Sequence, residues 1–244
     1  MSALSSPDGS YTLAPPDQLL PLTRHLSYRL TPLIHRLPIS PNQVTALSML
    51  AGLAGAWCFS YGEAQWGVIG GLFMILCYTL DNCDGEIARL KDMSSDWGAH
   101  FDDVVDWMVD SAFFIGLGYG AWQALGDISW FGLTADGILW FWFGLAAAAG
   151  ATIDYAVDIV HYARTRNQPE SKTREEEAKE VRKPEDFGDW LIYIFHKLSR
   201  ADFCVIVFGL AVFDVTWILL PLGAIGAQAY WITDLFQKAR GWHT

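Results

Sequence analysis

The chain has 244 residues, with 16 Lys and Arg against 27 Asp and Glu, and its formal net charge of -11 taken alone suggests an acidic soluble protein. Hydrophobic residues nevertheless make up 52% of it and charged residues only 18%, with 12 Trp, 14 Phe and 22 Gly, a mixture typical of helical membrane proteins. So many aromatics exclude disorder, so few basic residues exclude a nucleic-acid binder, and Cys58, Cys77, Cys83 and Cys204 lack the paired spacing of a zinc site or a disulfide framework.

The opening stretch MSALSSPDGSYTLAPPDQLL has neither a basic residue nor an apolar core, so no cleavable signal peptide is predicted there. Residues 17–37 interleave Leu with Arg24, His25, Arg29, His35 and Arg36, the pattern of an amphipathic helix at a membrane interface, which Pro21 and Pro32 would break or kink. A spanning helix needs ~20 mainly apolar residues, and six segments meet that description. Residues 42–60 are uncharged throughout, and residues 64–80 are uncharged up to Asp81, beyond which the helical pattern continues into polar sequence. The third span, about 98–124, carries acids in its first half and SAFFIGLGYGAW in its second, and the fourth, about 137–161, is apolar first and acidic last. Residues 164–187 mix charges with almost no apolar residue and read as a cytoplasmic loop. Spans five (198–215) and six (217–238) are separated only by a tight turn at Asp214.

The fold class predicted is an all-α polytopic membrane protein with six transmembrane helices and an N-terminal interfacial amphipathic helix. Residues 1–40 form the tail and juxtamembrane segment and residues 41–240 the membrane domain. Placing both termini on the cytoplasmic side of a cell inner membrane puts all 16 Lys and Arg there, including Arg89, Lys91, Arg200, Lys238 and Arg240. The opposite loops, YGEA, WQALGDISWFGLTAD and the Asp214 turn, carry none, as the positive-inside rule requires.

An ionised side chain at the bilayer centre costs at least ~2.5 kcal/mol, so carboxylates in spanning segments read as functional. Asp81, Asp84, Asp102, Asp103, Asp106 and Asp110 crowd the end of span two and the start of span three, with only Arg89 and Lys91 nearby to offset them. Asp81 and Asp84 are three residues apart and Asp102 and Asp106 four, so on helices each pair shares a face. Two such faces turned toward each other assemble four carboxylates around one pocket, and their repulsion is relieved by hard divalent cations such as Mg2+ or Mn2+. Gly85 removes a side chain where a pyrophosphate could approach, Ala88 keeps the helix thin, and Arg89 supplies a charge-assisted donor about one turn on. Asp92, Asp96 and Asp103 read instead as acids facing water at helix ends.

The stretch DNCDGEIARLKDMSSDWGAHFDDVVD fits DxxDGxxARx8GxxxDxxxD without departure, through Asp81, Asp84, Gly85, Ala88, Arg89, Gly98, Asp102 and Asp106. It resembles the signature of the CDP-alcohol phosphotransferase family, which includes phosphatidylglycerophosphate, phosphatidylinositol phosphate and di-myo-inositol phosphate phosphate synthases. With the six spans and the segment SPNQVT, the resemblance covers about residues 37–238. It implies an integral-membrane enzyme of phospholipid biosynthesis with two divalent cations, Mg2+ or Mn2+, on Asp81, Asp84, Asp102 and Asp106, the last also accepting the proton of the incoming hydroxyl. It further implies a CDP moiety held by Gly85, Arg89, Ser95 and the run Asn42, Gln43, Val44 and Thr45, release of CMP, and a homodimer. Read from the residues alone, Asn42 to Thr45 look like a helix-start segment after Pro41, and Ser95 carries no signal.

The donor expected on this resemblance is CDP-diacylglycerol, with a small polar acceptor that a phosphate could distinguish. The alternative is a CDP-inositol-type donor with an inositol phosphate or lipid acceptor. Arg200, then Arg164 and Arg166, are the candidates for gripping the acceptor, against the plain reading that they are positive-inside charges. Asp154, Asp158 and His161 form one polar face of span four, lining the acceptor cavity or facing water. No Ser or Cys nucleophile is needed, and His100 reads as a helix-surface residue. A cation transporter, the reading from another class, would spread its acids across the bilayer depth, whereas the signature acids cluster at one end of spans two and three.

Overall fold

In a computed structural model of the chain, residues 4–16, 21–130, 133–165 and 202–240 are described. Helix α1 (Leu22–His35) precedes α2 (Pro41–Phe59), α3 (Ala64–Leu90) and α4 (Asp96–Leu125). A two-stranded antiparallel hairpin of β1 (Ile128–Trp130) and β2 (Leu133–Ala135) then leads into α5 (Leu139–Thr165). After residues 166–201, which lie outside the described residues, α6 (Phe203–Val212) and α7 (Leu219–Arg240) follow, joined through a 3-10 turn at Thr216–Ile218.

Helices α2 to α7 each overlap a segment read from the sequence as a span, and α1 lies in the segment read as interfacial. Ser40 caps α2 with its side chain while Gln43 bonds back to the Ser40 N–H, and Pro41 fills the first helical position, where no N–H is required. Helix α3 does run on past Asp81 to Leu90. Gly126, at φ 63°, ends α4 in the backbone region open to glycine. The stretch WQALGDISWFGLTAD, expected as a plain loop, holds the β1–β2 hairpin, closed by the Gly137 N–H donating to Asp127 at 3.0 Å.

Among the described residues, two helices are long and apolar enough to cross a membrane, Ala64–Leu90 and Leu139–Val160. The others are limited by specific residues: α2 opens on Pro41, Asn42 and Gln43, and α4 carries the acids in its first half. Helix α6 has 10 residues, about 15 Å of rise and half of a bilayer core, before Asp214 turns the chain at φ 58°.

Helix α4 is central. Val105, Val109, Phe113, Leu117 and Ala121 recur every fourth residue and are all buried. Phe113 meets Phe59 of α2 and Phe203 of α6 edge-to-face, at 5.2 and 5.7 Å between ring centres. On another face Gly116 and Gly120 lie against the backbone carbonyls of Ala56 and Phe59, so α4 and α2 approach main chain to main chain. The small-residue run of α5 packs within the chain, Gly150 against Ala227 and Gln228 of α7.

Helix α1 forms within the predicted amphipathic segment, running through Pro32, and its inward face is built on hydroxyls. Thr23, Ser27 and Thr31, spaced every fourth residue, are fully buried, while Leu22, Leu26 and Leu33 are exposed. The hydroxyls reach buried acids: Ser27 and Thr31 donate to the two carboxylate oxygens of Glu86 at 2.9 and 2.6 Å. At its start Pro21 offers no side-chain cap, and the N–H groups of Leu22 and Thr23 donate instead to the carboxylate of Asp202, at 2.9 and 3.2 Å, from the residue preceding α6. An anion at a helix N-terminus satisfies donors that the helix itself leaves unpaired.

Candidate active site

The site is built where α3 ends and α4 begins. After Leu90 the chain reverses through Asp92, at φ 53°, and Ser95 caps α4 by accepting from the Gly98 N–H at 3.1 Å. Lys91 ties this turn to the α1–α2 connection, its ammonium donating to the carbonyls of Leu37 and Ile39 at 3.1 and 2.8 Å. The reversal leaves the end of α3 and the start of α4 close enough for their carboxylate side chains to meet across the gap.

Carboxylate oxygens of Asp81, Asp102 and Asp106 lie within 4.8 Å of one another. Oδ1 of Asp81 is buried without a hydrogen-bond partner among the described residues, while Asp106 is the exposed member of the group. Three hard oxygen donors at this separation, one of them orphaned in a buried position, fit a divalent cation. The fourth motif acid stands apart. Asp84 is buried and accepts from the Thr45 hydroxyl at 2.5 Å, which ties α3 to α2.

The remaining signature positions surround this group. A Cβ on Gly85 would sit 3.5 Å from a guanidinium nitrogen of Arg89, so Arg89 folds back over the bare backbone there. A Cβ on Gly98 would sit 3.1 Å from the Ser95 hydroxyl and 3.2 Å from Oδ1 of Asn42, so this glycine brings Asn42 and Ser95 close together. The run from Asn42 to Thr45 divides by side chain. Asn42 and Thr45 face the signature helices, Gln43 is exposed and engaged with Ser40 in the capping box, and Val44 is fully buried with Ile34, Cys83 and Ile87.

The acceptor candidates fall outside what is described, the side chain of Arg164 included. Arg164 falls in the last turn of α5, and Arg166 and Arg200 lie outside the described residues. The first half of α4 meets α5 through Trp107, which donates to Thr152 at 3.0 Å and stacks on Tyr155 at 5.4 Å. His100 stands at the surface, 3.9 Å from Asp103 and edge-on to Tyr162.

Three further residues that make notable contacts carried no signal in the motif. Glu86, at an unspecified motif position, and Asp202 anchor α1. Tyr11 lies with its ring over Arg89, 5.0 Å from centroid to guanidinium carbon. The hydroxyls at every fourth position of α1 were the one visible hint of the first two.

Residues 38–229 match the family model for CDP-alcohol phosphatidyltransferase, and the chain belongs to that family of phosphotransferases. It is 34% identical over 102 residues to the bifunctional IPC transferase and DIPP synthase of Rubrobacter xylanophilus, a match covering 42% of this chain and 23% of that protein. It is 37% identical over 89 residues to the phosphatidylinositol phosphate synthase of Streptomyces avermitilis, covering 36% of this chain and 34% of that one. The fold is similar to that of the phosphatidylinositol phosphate synthase of Mycobacterium tuberculosis in its apo form, with a TM-score of 0.50 at 19% identity over 85% of this chain and 95% of that one. The matches to these two curated relatives thus span between about a quarter and a third of their length.

Proposed function

We propose that the chain transfers a phospho-alcohol group from a CDP-alcohol to a hydroxyl of an inositol phosphate, releasing CMP at the cytoplasmic face of a cell inner membrane. The observation that carries this reading is the meeting of Asp81, Asp102 and Asp106 within 4.8 Å, beside the Gly85 and Arg89 element. Asp81, Asp102 and Asp106, with Asp84 alongside, would hold two divalent cations, Mg2+ or Mn2+. When bound, such ions supply positive charge against a pyrophosphate and against the charge that grows on the departing nucleotide.

The chain's own residues account for the rest. Gly85 leaves room for the phosphates against α3, and Arg89 donates to them through its planar fork. Asn42 and Ser95 present amide and hydroxyl groups for the nucleotide end, while Thr45 gives its hydroxyl to Asp84 and so holds this run against α3. Asp106, the solvent-exposed acid, accepts the proton of the incoming hydroxyl as its oxygen bonds to phosphorus and the bond to CMP breaks. Arg200, with Arg164 and Arg166 behind it, is the proposed grip on the acceptor phosphate.

Similarity to the bifunctional IPC transferase and DIPP synthase supports a CDP-inositol-type donor. Likeness to the phosphatidylinositol phosphate synthase supports the second reading, CDP-diacylglycerol as donor. Six membrane crossings, with both termini and the site on the cytoplasmic side, and a homodimer belong to the same proposal. The distribution of all 16 Lys and Arg supports the orientation.

The test is CMP release in liposomes from CDP-inositol and from CDP-diacylglycerol, with inositol phosphate or other alcohols as acceptor, before and after chelation. Turnover should stop with chelator and return with Mg2+ or Mn2+, and Asp106→Asn should lower kcat by roughly 10²–10⁴-fold if a positioned base is lost. Metal-independent turnover, or full activity in Asp106→Asn, would refute the mechanism. Arg200→Ala should chiefly raise the acceptor KM.

A further inference from the structure

The segment before α1 lies outside residues 38–229, yet it is folded onto the site. Residues 4–13 form a small hairpin: the Ser6 N–H donates to the Tyr11 carbonyl and the Leu13 N–H to the Leu4 carbonyl, both at 2.8 Å. Its turn passes through Gly9 at φ 75° and is knotted by Asp8, which accepts from the hydroxyls of Ser6 and Ser10 at 2.6 and 2.8 Å and from the Ser10 N–H at 3.1 Å. Those bonds pull the Asp8 carboxyl down to about 2. Ser6 and Leu13 are buried, so the hairpin is seated on the protein.

What the hairpin presents is the ring of Tyr11 over Arg89. The guanidinium therefore has an aromatic ring near it and the bare backbone of Gly85 close by, 3.5 Å from where a Cβ would stand. A guanidinium offers five N–H donors, more than one aromatic ring can engage, so the contact leaves donors over for an anion. It also restrains a side chain whose rotamer freedom would otherwise be lost on binding.

We propose that Tyr11 is a positioning residue for the CDP-alcohol donor, holding the Arg89 fork ready for the pyrophosphate. The inference rests on the reading of Arg89 as a phosphate donor. Tyr11 makes its hairpin bonds through its backbone N–H and carbonyl, so a side-chain substitution leaves them intact. Tyr11→Leu in the full-length protein should weaken binding of CDP with Mg2+, measured by titration calorimetry, by roughly three- to tenfold, within the range of a cation–π contact. Tyr11→Phe keeps the ring and should stay within about twofold of the parent. In turnover the donor KM should rise in Tyr11→Leu while kcat and the acceptor KM hold. Asp8→Ala, which loosens the turn without touching Arg89, should shift CDP binding in the same direction by less.

Parent-like CDP binding in Tyr11→Leu would overturn the proposal. So would an equal loss in Tyr11→Phe, which would assign the effect to the hydroxyl, or a shift confined to the acceptor KM. Failure of the parent protein itself to bind CDP with Mg2+ would overturn the functional reading, and this inference with it.

Discussion

Glu86 offers the sharpest test of how α1 is held to the signature helix. Replacing it by Ala removes the acceptor of two hydrogen bonds, from Ser27 and Thr31, at a point where both hydroxyls are fully buried. Bonds to a charged group contribute about 1.5–3 kcal/mol each, so the pair sets an upper bound of about 3–6 kcal/mol. Ser27 keeps a fallback acceptor in the Arg24 carbonyl at 3.2 Å, whereas the Thr31 hydroxyl keeps only the weakly accepting sulfur of Cys83. A figure near 3 kcal/mol follows, and at about 1.4 kcal/mol per factor of ten it raises the population in which α1 is locally detached roughly a hundredfold.

Cys83 reports that opening directly. It is fully buried on α3 beneath α1, its thiol 4.0 Å from the Ser27 carbonyl. In a variant retaining only Cys83, with Cys58, Cys77 and Cys204 changed to Ala, maleimide labelling slower than reclosure measures the open fraction. Glu86→Ala should label roughly a hundred times faster and Thr31→Val about ten times faster. Combining Ser27→Ala, Thr31→Val and Glu86→Leu should restore part of the protection, because apolar groups on both sides leave no orphan. An unchanged labelling rate in Glu86→Ala would refute the clamp. Equal acceleration at a Cys204-only control would show global loosening instead.

Two further substitutions probe the scaffold by its melting midpoint, read from tryptophan fluorescence in detergent. Asp202→Ala strips the cap from Leu22 and Thr23, a loss of about 1–2 kcal/mol, or roughly 2–8 °C, and Asp202→Asn should retain part of it; no change would mean that water replaces the carboxylate. Gly120→Ala places a methyl group against the Phe59 carbonyl and should cost at least about 1–3 kcal/mol, whereas Gly209→Ala, whose Cβ meets nothing within 4 Å, should be neutral or stabilising. Equal midpoints for the two glycine variants would refute the close helix contact.

Much of the helical order was legible because uncharged runs and their polar ends mark where helices can start and stop. The run uncharged up to Asp81 became α3, and the third span, read as about 98–124, became α4 at Asp96–Leu125. The face of α1 was not legible in the same way. An interfacial amphipathic pattern turns its leucines toward the membrane, and the exposed Leu22, Leu26 and Leu33 fit that, but the pattern does not show that Ser27 and Thr31 meet Glu86 on another helix. The β1–β2 hairpin escaped for a different reason: strands of three residues are too short to show a period.

The acids divide in a way that spacing alone could not show. On α3, Asp81, Asp84 and Glu86 lie within two turns, yet each meets different chemistry. Glu86 is satisfied by two hydroxyls of α1, and Asp84 accepts the Thr45 hydroxyl of α2. Asp81 faces the acids of α4 and keeps a buried oxygen without a hydrogen-bond partner among the described residues. The first two arrangements already have donors from neighbouring helices and fasten α1 and α2 to α3. The third gathers oxygens that repel one another, and only a positive charge brought from outside the chain turns that repulsion into a binding site. The hydroxyl-bonded acids therefore set the position of α3, and through it the place where Asp81 meets Asp102 and Asp106. On this argument loss of Glu86 should disturb the Asp81, Asp102 and Asp106 cluster as well as the fastening of α1, although Glu86 itself lies outside it.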